Sequence, residues 1–216
     1  MKVKLVGYTQ PSEEFKDSFS DIKDLVAFCA RVSNPANQFN NETVDKLLGY
    51  LMKHQHWSPF EMASITIEIE TTRDIARQLL RHRSFSFQEF SQRYANPVQD
   101  LSFVLREARL QDTKNRQNSL ETDDSLLETE WNKRQQDVLD LVTDNYNWAV
   151  ENGIAKEQAR CILPEGNTVS RLYVNGTIRS YIHYIQVRTD QSTQKEHREL
   201  ALAVAKAISE IFLLPA

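Results

Sequence analysis

The apolar period of the chain changes abruptly at Thr71, and that change constrains the fold more than any bulk property. From Ala63 to Glu70 the residues alternate, with Ile65, Ile67 and Ile69 on one side and Thr66, Glu68 and Glu70 on the other. A period of two with one apolar face predicts a half-buried strand. At Thr71 or Thr72 a hydroxyl is available to cap a helix. From there Ile75, Leu79 and His82 fall on one side, while Arg73, Arg77 and Arg81 step along another at intervals of four. A strand that feeds directly into a helix calls for a mixed fold.

The rest of the chain adds more helix than strand. Lys2 to Gly7 reads as a short strand, and helical patterns run from Asp21 to Ser33 and from about Asn41 to His54. The HQHWSPFEM segment reads as a turn at Ser58-Pro59. Residues 100–123 are polar and poorly patterned, with Leu101 to Leu105 as a candidate strand. A long helix is expected from Asp124 to Asn152, its stripe formed by Trp131, Val138, Leu141, Val142, Tyr146 and Val150, and Asn152-Gly153 is a usual helix end. A short helix over Ala155 to Arg160, a strand over Thr168 to Val174, and helices over Gly176 to Val187 and Thr193 to Phe212 complete the pattern. No repeat or linker divides the chain. The reading is α+β, a helix-rich single domain over 1–216, with strands too scattered for a doubly wound sheet.

Composition narrows the class. At 216 residues, 40% hydrophobic and 26% charged, the chain has the make-up of an ordinary soluble protein. No apolar run approaches the roughly 18–20 residues needed to span a bilayer, and the N-terminus lacks the apolar core of a secretory signal. A cytoplasmic location without membrane contact is expected. Cys29 and Cys161 are too few for a disulfide framework and are expected to be buried thiols.

The net charge is −4. Between Thr71 and Arg93, however, Arg73, Arg77, Arg81, Arg83 and Arg93 face only Asp74 and Glu89. Arginine concentrated in an acidic protein points to a small anion rather than a polymer. Within this region RHRSFSFQEFSQR (Arg81 to Arg93) combines guanidinium with uncharged hydrogen-bonding groups, the chemistry of holding phosphate and a flat polar ring together. Five glycines are too few for a Walker loop or a dinucleotide fingerprint, so arginines and helix ends must bind the phosphate. Arg160, Arg179 and Arg188 form a second basic group, for which local pairing, such as Arg188 with Asp190, is the bland alternative. His54, His56, His82 and His183 invite a metal, but no carboxylate pattern supports one and none is assigned. Ser84, Ser86 and Ser91 lack the glycines of a nucleophile elbow. A nucleic-acid surface built from Arg73, Arg77 and Arg81 with Phe85, Phe87 and Phe90 is opposed by the acidic total charge.

Arg81-His82-Arg83, seven residues and then Ser91 resembles the signature of the flavin-dependent thymidylate synthases. Further blocks agree in order: ARVS (Ala30 to Ser33), HQHWSPFE (His54 to Glu61), ARQLLRHR (Ala76 to Arg83), ARCILP (Ala159 to Pro164) and IRSYIHYIQVRTDQSTQKEH (Ile178 to His197). They span nearly the whole chain, with 100–150 the least diagnostic part. The resemblance implies the family's fold, with a small, mostly antiparallel sheet, and conversion of dUMP to dTMP. It further implies 5,10-methylenetetrahydrofolate as carbon donor, tightly bound FAD, NADPH as reductant and a homotetramer with sites shared between subunits. Carried over by position, Gln78, Arg81, Glu89, Phe90, Ser91, Gln92, Arg93, Arg160 and Arg188 are expected at dUMP. Ser58, Arg81, His82, Arg83, Glu89, Thr177, Ile178, Arg179 and His183 are expected at FAD, and His56 over the active site. Arg188 and Ser91 are the catalytic candidates, Arg188 by favouring ionisation at uracil N3 and Ser91 as a positioning group beside the ring. Met62, His183 and the Gln191-Ser192 pair depart from common family residues.

Overall fold

A computed structural model describes residues 1–212; the last four residues of the expected domain lie outside it. In chain order the elements are β1 (Lys2–Tyr8), α1 (Ile22–Ala30), α2 (Val44–Lys53), β2 (Ser64–Thr72), α3 (Arg73–Leu79), β3 (Ser86–Glu89) and α4 (Pro97–Asp100). They continue with β4 (Arg109–Gln111), β5 (Ser119–Glu121), α5 (Ser125–Glu151), α6 (Lys156–Ala159), β6 (Val169–Thr177), α7 (Ile178–Arg188) and α8 (Lys195–Ser209). Four strands form one antiparallel sheet in the order β1-β2-β6-β3, and β4 pairs only with β5. The expected α+β architecture with a small antiparallel sheet is the one observed.

The alternation in β2 explains which face is covered. Ile65, Ile67 and Ile69 are fully buried, with Ile67 opposite Val174 and Ile69 opposite Leu172 on β6. Val26 of α1, Leu48 of α2, Tyr181 of α7 and Leu200 and Val204 of α8 join them in one core. Each isoleucine taken from water contributes about 1.5–3 kcal/mol. The opposite face is a polar ladder. Glu70 is held by Arg171 (Nε···Oε1 2.9 Å) and by Lys2 (3.3 Å), and Glu68 accepts from Tyr173 (2.9 Å) and pairs with Lys4 (3.3 Å).

Several expectations are corrected. Strand β2 runs on to Thr72 because Thr71 and Thr72 still pair with Ser170 and Val169, so α3 starts at Arg73. Thr72 does not cap the helix; its hydroxyl bonds the Asp74 carboxylate (2.5 Å). The strand expected over Leu101 to Leu105 shrinks to one bridge, Phe103 with Thr168, while the β4–β5 hairpin arises in the unpatterned segment. Helix α5 carries two apolar stripes rather than one. Tyr146, Val142 and Val150 pack against Ala159 and Leu163, whereas Trp131, Val138 and Leu141 are exposed, together with Trp148. Cys29 is half-buried and Cys161 exposed.

Candidate active site

The RHR segment forms the turn that follows α3. Backbone bonds from Leu80 to Ala76 O (2.9 Å) and from His82 to Leu79 O (3.0 Å) keep it wound past the helix end. Phe85 then plugs it down. Its ring lies against Tyr181 (centroids 4.8 Å apart) and over Gly176 of β6, where an added Cβ would fall 2.3 Å from Phe85 Cδ1. Only glycine leaves room for that ring. With Phe85 turned inward, Arg81 and Arg83 face outward, exposed.

Long-range pairing separates structural arginines from available ones. Arg73 is buried between Glu89 (3.3 Å) and Glu165 (3.6 Å), and Arg77 also takes Glu165 (3.1 Å). Arg73 and Arg77 of α3 are therefore neutralised, whereas Arg81 lies in the turn beyond it. Arg81, Arg83, Arg160 and Arg188 have no carboxylate within 4 Å among the described residues. Arg188 does not pair with Asp190, whose carboxylate accepts from Ser192 instead. Arg188 Nε donates to His82 Nε2 (2.9 Å). That bond requires a neutral imidazole, and burial, then the charge of Arg188, push His82 down to about 4.

Around this pair the fold gathers Gln78 and His197. Gln78 Oε1 lies 3.1 Å from His197 Nδ1, and Gln78 Nε2 donates to Gln194 Oε1 (2.8 Å). A second group contains Ser91, Gln92, Arg93 and Arg160. Arg93 pairs with Glu157 (3.2 Å), and Arg160 Nε donates to the Glu157 carbonyl (3.4 Å). Ser91 Oγ accepts only from the Arg93 N–H (3.4 Å), with no base bonded to it among the described residues. Gln92 is buried with its Nε2 unpartnered. Phe90 is half-buried, its N–H donating to Arg171 O (2.8 Å). Glu89 turns inward, Oε1 accepting from Ser170 (2.8 Å) and from Arg73. Among the described residues no hydrogen bond or ion pair joins the Arg188 group to the Ser91 group.

A cleft of about 290 Å³ opens beside the turn, lined by Trp57, Glu61, Ser84, Arg179, Ser180 and His183. Arg179 is held at its rim by Glu61. Thr177 caps α7, its Oγ1 accepting from Ser180 N (3.3 Å). The Ile178 side chain is fully buried and its N–H donates to Ala63 O (3.0 Å). Ser58 is exposed on the 3-10 turn Ser58–Glu61, and His56 is exposed just before it. A larger cleft of about 440 Å³ is lined by Glu70, Glu107, Glu196 and Glu199 together with Lys2 and Arg106, both of which are already paired with its carboxylates, so it offers no free cation to a phosphate.

The family model described as "Thymidylate synthase complementing protein" matches residues 15–212. A protein of Paramecium bursaria Chlorella virus 1, named a probable flavin-dependent thymidylate synthase, is 48% identical over 213 residues, covering 99% of this chain and 94% of its own. The chain belongs to the flavin-dependent thymidylate synthase family. A Synechocystis protein named as such is also 48% identical, over 98% of this chain and 96% of its own. The crystal structure of a UMP/dUMP methylase, PolB, from Streptomyces cacaoi bound with 5-Br dUMP superposes with a TM-score of 0.79 at 25% identity, covering 97% of this chain and 90% of that one. The resemblance read from the RHR signature and its companion blocks is borne out.

In this flavin-dependent thymidylate synthase, the residues that pair with or orient the candidate site residues carry little signal in the sequence. Glu165, which removes Arg77 from the available set, lies 88 positions from it. His197, Gln194 and Trp57 stand in the sequence only as members of the matching blocks. His197 did leave a signal: it stands at the head of the buried stripe of α8 continued by Leu200, Ala201, Val204 and Ile208.

Proposed function

We propose that this chain methylates dUMP to dTMP, taking the carbon from 5,10-methylenetetrahydrofolate, with FAD as tightly bound cofactor and NADPH as reductant. One observation carries the reading. Arg188 is anchored through Nε on a neutral His82, so its terminal nitrogens and its whole charge remain for a ligand. Such a fixed, permanently protonated guanidinium suits negative charge developing on a uracil ring. Arg81, Arg160 and Arg93, with Gln78, Phe90, Ser91 and Gln92, are proposed to hold the rest of dUMP. Ser91, without a base at its hydroxyl, is proposed to position the ring.

The donor set fits FAD. Arg81 and Arg83 offer unpaired positive charge to a pyrophosphate, and Trp57, Ser84, Arg179 and His183 combine a flat apolar wall with donors. Ser58, His82, Glu89, Thr177 and Ile178 are proposed to complete the flavin site. Bound FAD supplies the hydride for the transfer. A cleft of about 290 Å³ lies at the lower edge of the roughly 300–1,000 Å³ usual for ligand pockets and is small for a dinucleotide. This supports a site finished by a neighbouring copy, and with the exposed stripe of α5 a homotetramer. Residues 1–216 are proposed to act as one domain, in the cytoplasm; no described helix is long and apolar enough to cross a membrane.

The test is a purified preparation. It should be yellow, oxidise NADPH and form dTMP only when dUMP and methylenetetrahydrofolate are both present. Protein that neither takes up added FAD nor changes its spectrum with dUMP would overturn the reading.

A further inference from the structure

His197 is fully buried in α8, yet its ring is wired to the candidate substrate site. Its Nε2 has no partner, and its ring lies tilted against Tyr184 (centroids 5.8 Å apart) and perpendicular to His82 (6.5 Å). Its Nδ1 meets Gln78 Oε1, and from Gln78 the bonds continue to Gln194 and on to Glu196, where Gln194 Nε2 donates to Oε2 (2.9 Å). Glu196 is flanked by Arg106 (3.3 Å) and Arg109, so it is held as a carboxylate.

That terminus gives the whole chain a direction. A carboxylate only accepts, so Gln194 must turn its NH₂ toward Glu196 and its carbonyl toward Gln78. Gln78 must then present NH₂ to Gln194 and its own carbonyl to His197. The last link can close only if Nδ1 carries the imidazole proton. Burial, then the nearby charge of Arg188, push His197 down to about 3, so the ring is neutral and one nitrogen must be bare. The bare nitrogen is the unpartnered Nε2.

We propose that His197 is a positioning residue for dUMP: its Nδ1–H, dictated by Glu196 through two amides, locks Gln78 with one N–H left to donate to an acceptor oxygen of the nucleotide. Gln194 holds only the NH₂ end of Gln78; without a donor at its carbonyl the amide can swing off that bond and turn its oxygen toward the nucleotide. The role rests on the reading above that Gln78 faces dUMP.

Two measurements test it. In unmutated, flavin-loaded protein labelled with ¹⁵N-histidine, His197 should show a neutral ring protonated at Nδ1; protonation at Nε2 overturns the proposal. In the second, dUMP binding is titrated calorimetrically against flavin-loaded variants. His197→Leu, which fills the space without a donor, should weaken dUMP binding and raise its KM about tenfold, with kcat changed less than threefold and flavin content unaltered. His197→Asn, whose amide N–H can stand where Nδ1–H stood, should recover most of the loss. Unchanged dUMP affinity in His197→Leu, or equal loss in the Leu and Asn variants, overturns the role while leaving the enzymatic reading intact. Wild-type protein that binds FAD but no dUMP removes the basis of both.

Discussion

A guanidinium that donates to an imidazole gains a fixed direction without losing charge, and that is the state of Arg188 on His82. Its replacement by alanine should therefore strike the chemical step rather than the cofactor. Arg188→Ala is expected to lower kcat by about 10²–10³-fold, the usual cost of removing one preorganised donor, while absorbance of bound flavin per subunit stays at the wild-type level. Equal loss of turnover and flavin would reassign Arg188 to the cofactor. At this scale the sequence was informative about residue type and less so about availability. The shortage of glycine already required arginines to bind the anion. Which arginines remain free depends on Glu165, far away in the chain yet in contact with Arg73 and Arg77. No local window contains that pairing.

Among the elements, the junction of β6 with the turn after α3 carries the most consequence. Gly176 is replaced at its Cβ position by the ring of Phe85. Gly176→Ala should cost about 1–3 kcal/mol by overpacking and should loosen the turn that carries Arg81 and Arg83. Chemical denaturation of Gly176→Ala, Phe85→Leu and the double variant should give a favourable coupling of about 0.5–3 kcal/mol; strictly additive effects would show that the ring and the glycine do not compete for space. Element types were legible wherever one period held for long enough, as in β2, α3 and α8. They were obscured in α5, where a core stripe and an exposed stripe overlap in sequence and read as one. They were absent from the β4–β5 hairpin, whose three-residue strands are too short to show a period.

For the whole molecule, neutral histidines in the interior set a response to acid. His197 is fully buried, and burial, then the charge of Arg188, push it down to about 3 in the fold, against an ordinary value of about 6.5. Below pH about 6.5 the unfolded chain takes up a proton that the folded chain refuses. The contribution of this group to stability is thus complete above that pH and falls as the pH drops toward 3, by about 1.4 kcal/mol per pH unit. His82, half-buried and lowered in the same direction, adds to the slope. Urea midpoints should fall between pH 7 and pH 5, and His197→Leu should flatten that dependence; an unchanged slope would mean that His197 already binds its proton in the fold.

The separation of the Arg188 group from the Ser91–Arg93–Arg160 group has a consequence for mixed populations. If each site draws one group from one chain and the other group from its neighbour, two defective chains can repair one another. Arg188→Ala and Arg93→Ala proteins, each strongly impaired alone, should regain activity when co-assembled, because a hybrid contains sites in which both intact groups meet. The gain should approach a quarter of wild-type activity for random pairing of equal amounts. Lesions in this enzyme then behave as if they fell in two complementing halves, although one chain encodes both.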